Sequence, residues 1–463
     1  MEKSFKKIAV LILSLAIVLG SVLCLSSCSN MVFEIISTIM ENGDSTDGST
    51  DQGGDGLSDG TSGSNSGSSS GDSSLDSEGK NDQTPSNPST PSIPGGESGG
   101  NTSGGETGTT DGDTDVEFYP NQGSTSAENV AAKNRTLLST VVIVSHFGNS
   151  PSAGSGVIYS IDKEKGDAYI ITNYHVVYSD SYGICDVAKL YLYGMRYENY
   201  EIPATFVGGS ATYDIAVLKV EGSEVLKNSY AVAADFGDSE QVRVFDEVFV
   251  VGNPEGYGMA VTEGIVSVDS ESLEMDGADG SPIELRVMRV SAAINRGNSG
   301  GGLYANEGKL IGIVVAKRVG SDIDNIGYAI PSNLAKNLVD NIIYFCSDGS
   351  KTTIQRPLIG ITITAKVVGV VIDEETGEVI KAEKIEISEL SDTCIAKDLV
   401  AVGDVVNSIT VNGVTVSVTR LHHVIDHMLT ARVGTTVVMN ITRGEETLDV
   451  TFTVPETAFT SVK

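Results

Sequence analysis

The chain has 463 residues, no Trp, five Cys, and 62 acidic against 30 basic side chains, a formal net charge of −32. That balance excludes nucleic acid as a partner, because phosphate binding needs clustered Lys and Arg. The length allows two or three domains, and much of the negative charge lies between Asn42 and Asp115, so it describes a spacer more than a fold.

Lys3, Lys6 and Lys7 precede an apolar run from Ile8 to Leu25, the layout of a secretory signal. The run ends in Leu25-Ser26-Ser27-Cys28, which resembles the lipobox of bacterial lipoproteins. That resemblance implies cleavage after residue 27 and lipidation of Cys28, with residues 28–41 as a membrane-anchored N-terminus outside the cytoplasm. The alternatives are an ordinary signal peptide or a membrane-spanning anchor, since the run is just long enough to span a bilayer. Met31 to Met40 is short and apolar and suits the membrane interface. Residues 42–126 are dominated by Gly, Ser, Thr, Asp and Asn and cannot bury enough surface to offset their ordering entropy. They read as a disordered acidic linker, which as Gly/Ser-rich coil would hold the remainder roughly 50 Å from its anchor.

From residue 127 to about 350 the pattern changes to short runs rich in Val and Ile, separated by Gly, Asp, Asn and Ser. Strands are expected at Thr140–Val144, Ser155–Tyr159, Ala168–Thr172, Ile215–Val220, Glu247–Val251, Gly264–Val268, Arg286–Val290 and Leu310–Val315. Their length and regular recurrence argue for an all-β barrel or sandwich rather than βαβ units. Pro331-Ser332-Asn333 opens a helix whose apolar face carries Leu334, Leu338, Val339, Ile342 and Ile343. A second unit follows from Arg356 to Pro455, with strands, one helix near Val418–Leu429 and a closing strand pair around Gly444. Cys185, Cys346 and Cys394 are odd in number and far apart, so they read as buried free thiols. His423 and His427 stand four apart on the expected helix with Asp426 between them. A His pair without further ligands reads as a solvated face, so no metal is expected.

Three stretches carry chemistry. Ala292 to Leu303 contains Gly297-Asn298-Ser299-Gly300-Gly301, one hydroxyl in a loop almost free of side-chain bulk. Such a loop lets a substrate carbonyl approach the backbone, and the amides of Gly297 and Ser299 can face one developing negative charge. Upstream, Ile171-Thr172-Asn173-Tyr174-His175 places a His at the end of an apolar strand. Tyr213-Asp214-Ile215 places an Asp at the start of another. His, then Asp, then Ser is the chain order of chymotrypsin, not of subtilisin or the α/β-hydrolases. The three together point to a serine endopeptidase.

The whole of residues 127 to 455 resembles the HtrA/Do-like (DegP-like) serine proteases. Beyond the three stretches, Gly154-Ser155-Gly156-Val157-Ile158, Val251-Gly252-Asn253-Pro254, Val261 to Ser267, and Ile326 to Ser332 are similar to that family's motifs. The resemblance implies a chymotrypsin-like double β-barrel over 127–350 and a PDZ domain over 356–456. It implies Ser299 as nucleophile, His175 as general base, Asp214 as its orienting partner, and an oxyanion hole from Gly297, Asn298 and Ser299. Arg356-Pro357-Leu358-Ile359-Gly360-Ile361 resembles the family's carboxylate-binding loop, with Leu358, Ile359, Gly360 and Ile361 receiving a peptide C-terminus by strand addition. The specificity pocket is expected from Ala293, Ile294 and Val314. With no carboxylate there, a small or medium aliphatic residue before the scissile bond is expected rather than Lys or Arg. Lys317 and Arg318 either favour acidic neighbours in the substrate or are solvated loop charges.

Three departures stand out. The family usually carries Pro where this chain has Arg296 and Gly302, and many relatives carry Asp where it has Ser291. Arg and Gly restrict the backbone less than Pro, so a looser loop and a slower or more switchable enzyme are expected. The family further implies unfolded or misfolded proteins as substrates, a homotrimer, and no cofactor. Two rival readings are a non-catalytic PDZ-based binding or chaperone protein, and a signalling protease that cuts one membrane partner.

Overall fold

The computed structural model describes residues 127–195, 200–316, 326–375, 377 and 379–463. The expected signal, Cys28, the interfacial segment, the acidic linker and the pair Lys317 and Arg318 lie outside these residues. Among the described residues no helix is long and apolar enough to cross a membrane.

Helix α1 (Ala127–Ser139) leads into a closed barrel of six strands: β1 (Thr140–Phe147), β2 (Ser150–Asp162), β3 (Asp167–Thr172), β6 (Val187–Leu192), β7 (Ile202–Ser210) and β8 (Ile215–Val220). Its closure order is β1-β2-β3-β8-β7-β6, every pairing antiparallel. Between β3 and β6 lie the one-turn helix α2 (Tyr174–Val177) and a two-residue ladder, β4 (Tyr178–Ser179) with β5 (Gly183–Ile184). The barrel is filled by Val141, Ile143, Ile158, Ile170, Leu190 and Leu218.

A short helix α3 (Glu224–Lys227) and a 3-10 turn at Ser239–Gln241 connect to a second closed barrel. Its strands are β9 (Glu247–Gly252), β10 (Ala260–Asp276), β11 (Pro282–Val290), β12 (Gly302–Ala305), β13 (Leu310–Val315) and β14 (Gly327–Pro331), closing as β10-β11-β14-β13-β12-β9. All six residues of β13 are buried, which is why it reads as one unbroken apolar run. Helix α4 (Ser332–Cys346) then lays Leu334, Ala335, Leu338, Val339 and Ile342 into a core shared with Val157, Ile171, Val217, Phe249, Tyr304 and Ile313 of both barrels.

The C-terminal unit has strands β15 (Ile354–Pro357), β16 (Ile361–Ile372), β17 (Val379–Leu390), β18 (Val405–Val411), β19 (Val414–Ser417), β20 (Thr436–Arg443), β21 (Glu446–Thr453) and β22 (Phe459–Val462), with helix α5 (Leu421–Met428). The main sheet runs β16-β17-β18-β20-β21, so β16 is an edge strand, while β15 pairs with β22. Its own core holds Ile387, Ile409, Met428, Met439, Ile441 and Phe452.

This unit is fastened to α4 through buried polar groups. Asn341 donates to the carbonyls of Gln355 (2.9 Å) and Leu429 (3.0 Å) and accepts from the Gln355 N–H (3.0 Å). Arg432 donates to the Asp340 carbonyl at 3.0 Å and lies 4.7 Å over the Tyr344 ring. Arg286 of β11 pairs with Asp426 of α5, and both side chains are largely buried.

Candidate active site

His175 and Asp214 come from the first barrel and Ser299 from the second, so the site lies between them. His175 follows β3 on the single turn of α2, and Asp214 immediately precedes β8. β3 and β8 are ladder neighbours, with Thr172 opposite Ala216, which brings their ends together. Asp214 adopts φ +48°, a left-handed conformation that Asp tolerates better than most residues. The turn is held from both sides: Asn173 Nδ2 donates to the Asp214 carbonyl (2.9 Å), and the His175 N–H donates to Asp214 Oδ1 (3.1 Å).

His175 Nδ1 lies 2.8 Å from Asp214 Oδ2 and 3.0 Å from Oδ1, and its Nε2 lies 2.8 Å from Ser299 Oγ. The ionised carboxylate can only accept, so Nδ1 carries the proton and Nε2 turns a lone pair toward the Ser299 hydroxyl. The Asp214 side chain is 2 % exposed and that of His175 20 %, so the carboxylate is shielded while the imidazole is open on one side.

The Ser299 loop is pinned along its length. The Arg296 carbonyl accepts from the Glu255 N–H at 2.7 Å, and the Gly297 carbonyl from Ser155 Oγ at 2.7 Å. The Ser299 carbonyl accepts from the Ser155 N–H at 2.8 Å, and the Gly300 N–H donates to Val314 at 2.9 Å. Ser155 Oγ itself accepts from the Asn253 N–H at 2.9 Å. Gly297 has φ +94° and Gly300 φ +81°. A β-carbon on Gly300 would collide with the Ser155 carbonyl and Thr172 Oγ1, so glycine is required there by both backbone and space.

Because a trans peptide points its C=O and N–H in opposite directions, the anchored Arg296 carbonyl turns the Gly297 N–H the other way. Neither the Gly297 nor the Ser299 N–H has an acceptor among the described residues. Asn298 differs from expectation, because its N–H donates to the Asn295 carbonyl at 3.1 Å and is not available to an oxyanion. The turn that aims its neighbours consumes it.

Arg296 and Gly302 each have a defined setting in the structure. Arg296 is exposed and its carbonyl is fixed. Gly302 makes room for Tyr304: a β-carbon at 302 would fall 2.5 Å from Tyr304 Cζ and 2.6 Å from its Oη. The fully buried Tyr304 reaches the hydroxyls of Ser139 (3.3 Å) and Thr140 (3.1 Å), which ties α1 and β1 to the second barrel. Ser291 Oγ accepts from the Ile265 N–H at 3.0 Å, a structural bond.

The expected pocket residues differ in burial. Ala293 is exposed, with its carbonyl accepting from Thr262 Oγ1 at 2.8 Å. Ile294 packs on Gly327. Val314 is fully buried in the second barrel with Val266, Met288 and Ala329, in the cluster against which Ile294 also packs. The backbone beyond it reaches the site, since the Ala316 N–H lies 3.2 Å from Ser299 Oγ.

Around Leu358–Ile361 the Leu358 N–H donates to the Ala458 carbonyl (2.8 Å), the Ile359 carbonyl accepts from Ile395 (3.1 Å), and Gly360 takes φ +76° against Cys394. His423 and His427 do not converge, because His427 Nε2 turns inward to the Val414 carbonyl at 2.9 Å. The histidine that joins His423 is His422, opposite Glu240. Cys346 and Cys394 are buried free thiols as expected, and Cys185 is half-buried. Sequence reasoning passed over Asn173 and Thr172. Their only signal was proximity to His175, and their roles appear once β2, β3 and β8 are assembled.

Residues 154–313 match the family described as Trypsin-like peptidase domain. That stretch, about a third of the chain, is thus similar to trypsin-like peptidase domains. The relatives that the chain is similar to include proteins named as HtrA and DegP proteases. It is 36 % identical over 235 residues to "Serine protease Do-like HtrA" of Bacillus subtilis (strain 168), covering 50 % of this chain and 47 % of the relative. It is 34 % identical over 265 residues to "Periplasmic serine endoprotease DegP" of Escherichia coli (strain K12), covering 55 % and 48 %. The chain thus spans about half the length of these curated relatives. A solved structure titled "HtrA-type protease AlgW with tripeptide" is 26 % identical with a TM-score of 0.46, covering 71 % of this chain and 96 % of that one.

Proposed function

We propose that the protein is an extracytoplasmic serine endopeptidase that hydrolyses peptide bonds of unfolded or misfolded proteins. The observation that carries this reading is the relay from Asp214 through His175 to Ser299, with both heavy-atom contacts at 2.8 Å.

In the reaction, Ser299 Oγ attacks the substrate carbonyl carbon while His175 Nε2 takes its proton. Asp214 stabilises the imidazolium, and the carbonyl oxygen becomes an oxyanion held by the Gly297 and Ser299 N–H groups. Collapse breaks the C–N bond, and His175 gives its proton to the leaving amine. The ester left on Ser299 is then attacked by water, whose proton passes to His175. The acid product leaves as Ser299 recovers its hydroxyl proton. None of these steps calls for a cofactor.

The C-terminal unit acts as a PDZ domain over 356–456. Its edge strand β16, which pairs only with β17 among the described residues, would accept a peptide strand, and Leu358–Ile361 at the head of that strand would hold the terminal carboxylate. Residues 1–27 act as a lipoprotein signal, Cys28 carries the lipid, 28–41 anchor, 42–126 tether, and 127–350 form the peptidase. Homotrimer formation through the peptidase domain completes the reading.

Digestion of β-casein by the full chain tests it. Degradation that is abolished by Ser299→Ala and raised by peptides with apolar C-termini is expected. An intact casein substrate under all conditions would hand first place to the non-catalytic binding protein.

A further inference from the structure

Apart from the active site, one cluster of ligand-type side chains among the described residues converges from two separate parts of the fold. Glu240 lies on the 3-10 turn at Ser239–Gln241, between the two barrels in sequence. His422 and His423 lie on the first turn of α5 in the C-terminal unit. His422 Nε2 is 3.2 Å from Glu240 Oε2 and His423 Nε2 is 3.1 Å from the same oxygen. All three ligand atoms fall within 4.8 Å of one another. The two rings meet edge to face, 4.6 Å apart at 84°, so each presents its Nε2 without blocking the other.

We infer that Glu240, His422 and His423 form a binding site for a zinc-class divalent cation that joins the peptidase domain to the C-terminal unit.

The spacing fits the chemistry. Metal–ligand bonds of about 2.0–2.2 Å in a tetrahedron put neighbouring ligand atoms about 3.3 Å apart, close to the 3.1 and 3.2 Å between each imidazole and the carboxylate oxygen. Two neutral imidazoles and one carboxylate suit zinc and its neighbours better than calcium or magnesium, which prefer oxygen donors.

The orientation of His423 fits as well. Its Nδ1 lies 3.0 Å from the Ser417 carbonyl, a shorter contact than the 3.3 Å to the Thr419 N–H. Donating Nδ1–H to a backbone carbonyl is how metal-bound histidines are usually fixed. It leaves Nε2 with a lone pair aimed at a carboxylate, a repulsive pairing that a cation between them turns into ligation.

Nearby cations are matched. Arg286 Nη1 stands 3.7 Å from Glu240 Oε1, and the same guanidinium is paired with Asp426. Arg420 is shared by Asp269 and Glu383. Arg243 Nη1 donates to the backbone carbonyl of Glu240. A cleft of about 640 Å³, lined by Val242, Phe245 and Asp269 on one side and Lys381, Val416 and Arg420 on the other, opens onto the cluster and leaves room for a water as fourth ligand.

The test is titration of the full chain, stripped by chelator and carrying Ser299→Ala to prevent self-digestion, with Zn²⁺ by calorimetry and Co²⁺ by absorption. One equivalent of Zn²⁺ at micromolar affinity or tighter is expected, and Co²⁺ should give tetrahedral d–d bands without thiolate charge transfer. Glu240→Gln and His423→Asn should each weaken binding at least tenfold and remove the Zn²⁺-dependent rise in Tm. His175→Ala should leave binding unchanged. Absence of saturable binding would overturn the site, as would binding that survives Glu240→Gln and His423→Asn or is lost with His175→Ala. If the two site variants do not fold in metal-free melts, the parent's stoichiometry and Co²⁺ spectrum still decide the question.

Discussion

Gly302→Ala is the substitution for which the structure gives the sharpest expectation. Alanine is ordinarily mild, but here its β-carbon would stand 2.5 Å from Tyr304 Cζ, with Cε2 in collision as well. Tyr304 is fully buried, stacks on Phe249 with ring centroids 5.6 Å apart, and bonds Ser139 and Thr140, so the ring has no free direction in which to yield. Overpacking of this kind costs about 1–3 kcal/mol. Pushing the hydroxyl off its partners adds about 1–3 kcal/mol if it is left unsatisfied. At about 2–4 °C per kcal/mol for a large domain, Tm should fall by at least about 4 °C and by up to about 24 °C if both costs are met in full. The assay is thermal melting in the Ser299→Ala background, with Tyr304→Leu and the double variant completing a cycle. Removing the ring empties the space the new methyl needs, so the double variant should be less destabilised than the sum by at least about 1 kcal/mol. Additive effects, or a Gly302→Ala protein that melts like its parent, would refute the reasoning.

Asp214→Asn should lower kcat by about 10⁴-fold with little change in KM, because the carboxamide cannot accept from both His175 Nδ1 and the His175 N–H while stabilising an imidazolium; casein or peptide kinetics measure it. Burial pushes the Cys346 thiol up from 9.0 to about 11. A raised folded value means that its contribution is fully present below pH 9.0 and is lost as pH rises through about 11, at most about 2–3 kcal/mol. Denaturant unfolding of wild type and Cys346→Ala should therefore diverge over that window and run parallel below it. Arg286→Met leaves Asp426, whose carboxyl burial already pushes up, without its cation. Breaking such a pair costs about 3–5 kcal/mol, so the C-terminal unit should become sensitive to limited proteolysis at lower temperature, and an unchanged digestion pattern would count against the pairing.

Much of the peptidase domain was legible because its signals are local. β13 is an unbroken apolar run and β8 is apolar but for Lys219, the face of α4 repeats at helical spacing, and Ser299, His175 and Asp214 sit in short motifs whose order points to the barrel arrangement. Helix α1 was read only as the start of the domain, since Ala127–Ser139 is polar on most sides and is positioned by Tyr304, a residue far along the chain. The contact of Gly302 with the Tyr304 ring is visible only once β12 is built. Asn298 was expected among the oxyanion donors by position, and only the turn geometry shows that its N–H is already committed. The Glu240–His422–His423 cluster spans more than 180 residues of sequence, and no spacing rule reaches that far.

The central claim is that Ser299 is a nucleophile activated by His175. Covalent labelling of the full chain by a fluorophosphonate probe tests it most directly, beside Ser299→Ala and His175→Ala. The account predicts one probe per wild-type chain, none on Ser299→Ala, and labelling slowed by orders of magnitude in His175→Ala. A folded wild-type chain that takes up no probe, or a Ser299→Ala chain that is labelled as fast as wild type, would contradict it.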